Sequence, residues 1–187
     1  MRPLLAFALL MVPGAGFAGE PAPPGLAELL AATAGDWQGE LQYRDYQSNK
    51  WEGLPVKVTV QAQRDRVTVL RTAAFDDGPK TGIVYIITVT QVDAATGRES
   101  YASFRKGRAP DSGAAQLELG NGPRDLTHWT IIATETRKDG DSLAVVRETT
   151  TRNGTSLVTL KEVDPLGDGV AGWQPRNRTV LELAGQP

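Results

Sequence analysis

The chain contains no cysteine. That excludes a disulfide framework, a thiolate nucleophile, a cysteine-ligated metal and an acyl anchor attached through a cysteine. There is one histidine, His128. Without a second histidine or a thiolate, no ordinary zinc ligand set can be assembled. The longest uninterrupted apolar run covers 4–12, well short of the roughly 20 residues that span a bilayer as a helix. Charge of one sign is also lacking. Lysine and arginine total 20 against 22 aspartate and glutamate, so overall charge draws the protein to neither nucleic acid nor anionic lipid. There is no Gly-x-Ser-x-Gly elbow and no glycine-rich phosphate loop. The acidic stretch 164–169 lacks the ligand spacing of a calcium loop and reads as a connection between strands.

What is present begins at the N-terminus. Arg2 precedes the apolar run 4–12. Pro13, Gly14 and Gly16 then break any helix, and Gly16-Phe17-Ala18 offers small residues at both positions a signal peptidase reads. This is the three-part pattern of a secretory signal. Residues 1–18 are therefore expected to be removed, leaving a periplasmic or secreted protein beginning at Gly19. Residues 19–25, rich in proline, read as an extended linker. Residues 26–187 suffice for one domain with a real core and no covalent staples.

Leu26, Leu29, Leu30 and Ala34 recur at helical spacing, and Gly35 stops that helix. Beyond it the text is strand and turn. Runs rich in Thr, Val, Ile, Leu and Tyr, punctuated by Gly, Asn, Asp and Pro, predict strands over 37–47, 54–63, 66–75, 81–92, 99–105, 114–119, 126–137, 142–152, 156–163 and 178–183. Asn153-Gly154 is the sharpest hairpin signal, and the glycosylation-like Asn153-Gly154-Thr155 is better read as that turn. A meander of this length cannot remain flat with two bare edges; twist curls it and closure removes the edges. A sandwich would need long crossovers, for which there are few candidates. The expected fold is all-β: an antiparallel meander closed into a barrel of about eight to ten strands, with a short N-terminal helix at one end.

Trp37, Gly39, Leu41 and Tyr43 share one strand face, and Gln38, Glu40, Gln42 and Arg44 share the other, so one side is wet. From Ile83 to Val89 both faces are apolar. That strand is expected to be covered on both sides, by the helix or by a partner subunit.

Gly35-Asp36-Trp37, at the junction of helix and first strand, resembles the Gly-x-Trp motif of lipocalins and the wider calycin group. The resemblance implies a tryptophan at the barrel floor, stacked against a basic residue of the last strand, for which Arg176 and Arg178 are the candidates. The Thr-Asp-Tyr turn of lipocalins is absent. Gly35, Trp37 and Gly39 also match the Gly-x-Trp-x-Gly opening of the nitrobindin-like haem group, a longer-stranded relative. That group ligates iron through a late histidine, and nothing after His128 can serve. No cofactor and no metal is therefore expected.

In register, Asp45 continues the Trp37–Tyr43 face. Arg71 falls with Val67, Val69, Ala73 and Phe75, and Arg147 with Leu143, Val145 and Thr149. These registers place Tyr43, Asp45, Arg71 and Arg147 toward the interior. Buried charges are costly unless paired, so they pair with one another, are turned out to water by a bulge, or hold the acidic head of an amphipathic ligand. His128, beside Trp129, reads as a surface or turn residue. The reading that follows is an exported lipocalin-like barrel binding a small, partly apolar molecule, an anionic amphipath being the case the arginines favour. The alternatives are an accessory envelope protein with a packed interior, and a non-hydrolytic enzyme of isomerase or lyase type using Asp45 or His128; no nucleophile, base and orienter can be assembled for it.

Overall fold

A computed structural model describes residues 22–122, 124–167, 169–170 and 172–185. The expected signal, 1–18, lies outside the described residues, as do 19–21 of the linker. Helix α1 (Leu26–Ala31) leads into β1 (Gly35–Arg44), followed by β2 (Trp51–Ala62) and β3 (Thr68–Asp76). A single helical turn, α2 (Gly78–Thr81), precedes β4 (Ile83–Asp93), β5 (Arg98–Arg105) and β6 (Asp111–Leu119). Then come β7 (His128–Asp139), β8 (Ser142–Asn153), β9 (Ser156–Pro165) and β10 (Gln174–Leu183). All ten strands pair antiparallel with their sequence neighbours, and β10 returns to β1, closing the barrel.

Local chemistry explains the hairpins. Asn153 pairs with Ser156 and Asp139 with Ser142, so the two turns are Gly154-Thr155 and Gly140-Asp141. In each, the glycine comes first and takes positive φ, +61° at Gly154 and +68° at Gly140, as a two-residue turn matching strand twist requires. Asn153 itself stays in the strand. Other turns are tied by an aspartate. The Asp65 carboxylate accepts from the N–H groups of Val67 and Thr68 and from the Thr68 hydroxyl, and Asp93 does the same for Ala95 N–H and the Thr96 hydroxyl. Such local bonds give the backbone its turn conformation.

One end of the barrel is sealed. Leu29 of α1 is fully buried, and it packs in one cluster with Trp37, Val58, Val60, Leu117, Trp129 and Leu181. The Trp37 indole N–H donates to the Thr33 carbonyl at 2.8 Å. The guanidinium that covers the ring is that of Arg152, on β8, 5.5 Å from the ring centroid. It also donates to the Ala32 carbonyl at the end of α1, satisfying a helix terminus that would otherwise be orphaned. Arg176 and Arg178 do not take this place, because β10 enters the barrel from the opposite end. Arg178 stacks on Trp51 at 4.5 Å and donates to Gln42, and Arg176 binds Asp139 at 2.9 Å.

The glycine two residues after Trp37 has a separate cause. A Cβ on Gly39 would lie 1.9 Å from the Val180 carbonyl oxygen, so only glycine lets β1 and β10 approach closely enough to close the sheet.

The part of the expectation for β4 that put its outer side under the N-terminal helix is overturned. Ile83, Tyr85, Ile87 and Val89 all point outward and are exposed. Helix α1 plugs the end of the barrel instead of lying along its wall.

Candidate functional site

The barrel is not filled. Inside is a cavity of about 410 Å³, within the range of small-molecule sites. Its floor is apolar: Leu30 of α1, Val60, Leu117, Trp129 and Leu157. Strand alternation then carries polar side chains inward toward the open end: Arg71 from β3, Glu99 and Tyr101 from β5, Glu135 from β7 and Glu148 from β8. Threonine and serine hydroxyls fill the positions between, as with Thr88 and Ser103, whose oxygens lie 2.8 Å apart.

The mouth is held by two ion networks. Arg137 Nε lies 2.8 Å from Glu135 Oε1, close enough for an ion pair although its N–H is not aligned for a hydrogen bond. The same guanidinium reaches Asp111 at 3.6 Å, and Glu135 also accepts from the Tyr101 hydroxyl at 3.0 Å. Two residues further along β7, Asp139 takes both Lys161, at 3.4 Å, and Arg176. These groups are largely spoken for.

The middle of the cavity differs. Arg71, Glu99 and Glu148 make no hydrogen bond or ion pair at contact distance with any described residue. Desolvation lowers the Arg71 pKa, with the Glu148 charge acting in the opposite direction; a guanidinium nonetheless stays charged. Burial pushes Glu99 up from about 4.5 to about 7, helped by the charges of Glu148 and Glu135. In the floor, the Trp129 indole nitrogen is buried and has no acceptor among the described residues. The Arg71 guanidinium and the Trp129 indole N–H thus both lack acceptors among the described residues in a cavity open at its mouth, beside a carboxyl pushed up to about 7. Buried polar groups are ordinarily satisfied, so this arrangement is suited to receiving a molecule with acceptor oxygens.

Of the four residues expected inside, only Arg71 sits deep in the cavity. Arg147 points outward, because β8 turns Ala144, Val146, Glu148 and Thr150 to the interior. Its guanidinium pairs with Glu162 at 2.8 Å and lies 4.0 Å from the Trp173 ring centroid. Asp45 lies beyond the end of β1 in an exposed turn. Hydrogen bonds from the Ser48 hydroxyl and the Gln47 N–H hold its pKa below the usual carboxylate range, leaving it no role in the interior. Tyr43 is at the mouth and 49% exposed. His128 lies on the outside, Nδ1 3.1 Å from Asp125, which also caps the turn leading into β7. Glu99, Tyr101, Glu135, Arg137 and Glu148 were not anticipated. The one available signal was the isolated charge at Glu148, between Val146 and Thr150.

No group of three or more His, Asp or Glu among the described residues is placed to hold a metal ion. No family model and no curated protein matches the sequence. Among solved structures, the barrel is similar to the crystal structure of Rv2717c from M. tuberculosis. The TM-score is 0.58 and the identity 10%, with 86% of this chain and 98% of that chain covered, a likeness of fold alone.

Proposed function

We propose that this protein is an exported, calycin-like binding barrel that holds one small, partly apolar molecule in its interior. The supporting observation is the unpartnered Arg71 in a 410 Å³ cavity with an apolar floor. An apolar body rests on Val60, Leu117 and Leu157 while a carboxylate or carbonyl accepts from Arg71. A charged hydrogen bond of this kind contributes about 1.5–3 kcal/mol. A cavity of this size also weighs against a packed interior. Export rests on the run 4–12 and the small residues before Gly19. N-terminal sequencing of protein recovered from the cell envelope reads it directly, and an intact Met1 would remove it.

Titrating medium-chain fatty acids while following tryptophan fluorescence tests the binding. Wild type is expected to give a saturable change, since Trp129 lines the cavity. Arg71→Met should weaken binding by at least about tenfold, the lower end of that bond's contribution. Arg147→Met should leave it unchanged, because that side chain faces outward. Equal affinity in wild type and Arg71→Met would sink the proposed role.

A further inference from the structure

The outer wall carries a second feature, independent of whatever fills the interior. Along β4, Ile83, Tyr85, Ile87 and Val89 project outward, and Phe104 of β5 stands opposite Ile87. At the open end of the barrel this strip becomes a groove of about 650 Å³, whose lining adds Arg105, Lys106 and Arg108 and includes no carboxylate. None of these three cations forms an ion pair with a described residue. The neighbouring acids in the sheet are Asp76, opposite Ile83 and accepting from the Gly78 N–H, and Asp111, opposite Ser103 and 3.6 Å from Arg137. Tyr46, Leu166 and Trp173 are further large apolar side chains exposed toward the same end.

From the apolar strip on β4 and β5 and the unpaired cations clustered at its mouth end, we propose that the outer face of β4 and β5 docks on the surface of an anionic lipid bilayer. Aromatic and branched side chains settle at the headgroup boundary, and Arg105, Lys106 and Arg108 meet the lipid phosphates. Each cation near an anionic surface multiplies partitioning by about fivefold. Net charge gives no such attraction; the local cluster does. A second copy of the chain fits less well. The strip is about 20 Å long and two strands, about 10 Å, wide, on the order of 200 Å². Stable complexes bury roughly 800 Å² per partner.

The test is co-sedimentation of the full barrel with phosphatidylglycerol vesicles and with phosphatidylcholine vesicles. It is run for wild type, for Tyr85→Ser with Phe104→Ser, and for Lys106→Glu with Arg108→Glu. All four positions are exposed, and each variant is first shown to melt near wild type. Wild type should partition onto phosphatidylglycerol at least about tenfold better than onto phosphatidylcholine, and 1 M salt, with a Debye length of about 3 Å, should release it. Both double variants should lose at least about tenfold. The proposal is overturned if wild type ignores phosphatidylglycerol, if it binds both lipids equally, or if either double variant sediments like wild type. It is equally overturned if light scattering shows a dimer that Tyr85→Ser with Phe104→Ser dissolves while no vesicle binding occurs, which would assign the face to a second copy.

Discussion

Trp37→Ala is expected to lower the unfolding free energy by about 3–5 kcal/mol, the usual cost of deleting a large buried aromatic side chain. The side chain is 1% exposed. It sits directly between Val58 of β2 and Leu183 of β10, so it belongs to both strand pairs that β1 makes in closing the barrel. Truncation leaves a void at that seam. It also strips the acceptor role from the Thr33 carbonyl and removes the ring beneath Arg152. Cavity and orphaned polar groups then act together, which places this site toward the upper part of the range. Trp37→Phe retains most of the packing and loses the hydrogen bond, so its cost should be about 1–2 kcal/mol. Urea denaturation of both variants measures the difference. A midpoint for Trp37→Ala close to wild type would mean that the helix end and the seam do not depend on this residue.

The strands were legible because most of them carry apolar residues on one parity only. In β1 and β2, Trp37, Leu41, Val56, Val58 and Val60 leave no doubt about which side faces in. Arg71 was legible for the same reason, with Val69 and Ala73 on either side. Parity failed where both faces are apolar. At the start of β8, Leu143 and Val145 compete with Ala144 and Val146, and choosing the wrong pair moves every later side chain to the other face. Arg147 was thereby placed inside, whereas in the structure its neighbour Glu148 faces in. On β4 the two-sided apolar pattern suggested cover on both faces, and the helix does not supply the outer one, because it packs at the barrel end. β5 offers almost no hydrophobic parity: Glu99, Tyr101 and Ser103 alternate with Ser100, Ala102 and Phe104, so two of the cavity's polar groups could not be assigned to the interior. Asp45 was misplaced because β1 ends at Arg44, three residues short of the expected strand end at Gln47. The arginine over Trp37 could not be read at all. It comes from β8, brought to α1 only when the sheet closes.

Glu99→Gln is expected to stabilise the protein at pH 8 and to change little at pH 4. Glu99 faces Glu148 of β8 and Glu135 of β7, with Arg71 of β3 compensating chiefly Glu148. Desolvation first, and these two carboxylates second, raise its pKa to about 7. In the unfolded chain the group returns to the ordinary glutamate range near 4.5. Between those values the folded protein holds a proton that the unfolded chain has released. Stability therefore falls as pH rises through this window. It is unaffected below about 4.5 and reaches its full deficit above about 7. At 1.36 kcal/mol for each pH unit, the deficit is at most about 3 kcal/mol. Glutamine keeps the shape and the donor capacity of the protonated acid without the charge. The variant minus wild-type difference in unfolding free energy, followed from pH 4 to pH 8, should grow across the window and then level off. The same proton bears on ligand binding. A carboxylate arriving at Arg71 meets less repulsion when Glu99 is neutral, so fatty-acid affinity should be higher at pH 6 than at pH 8 in wild type and nearly level in Glu99→Gln. A stability difference that stays flat over the whole range would place the Glu99 carboxyl in water, outside the reach of Glu148 and Glu135.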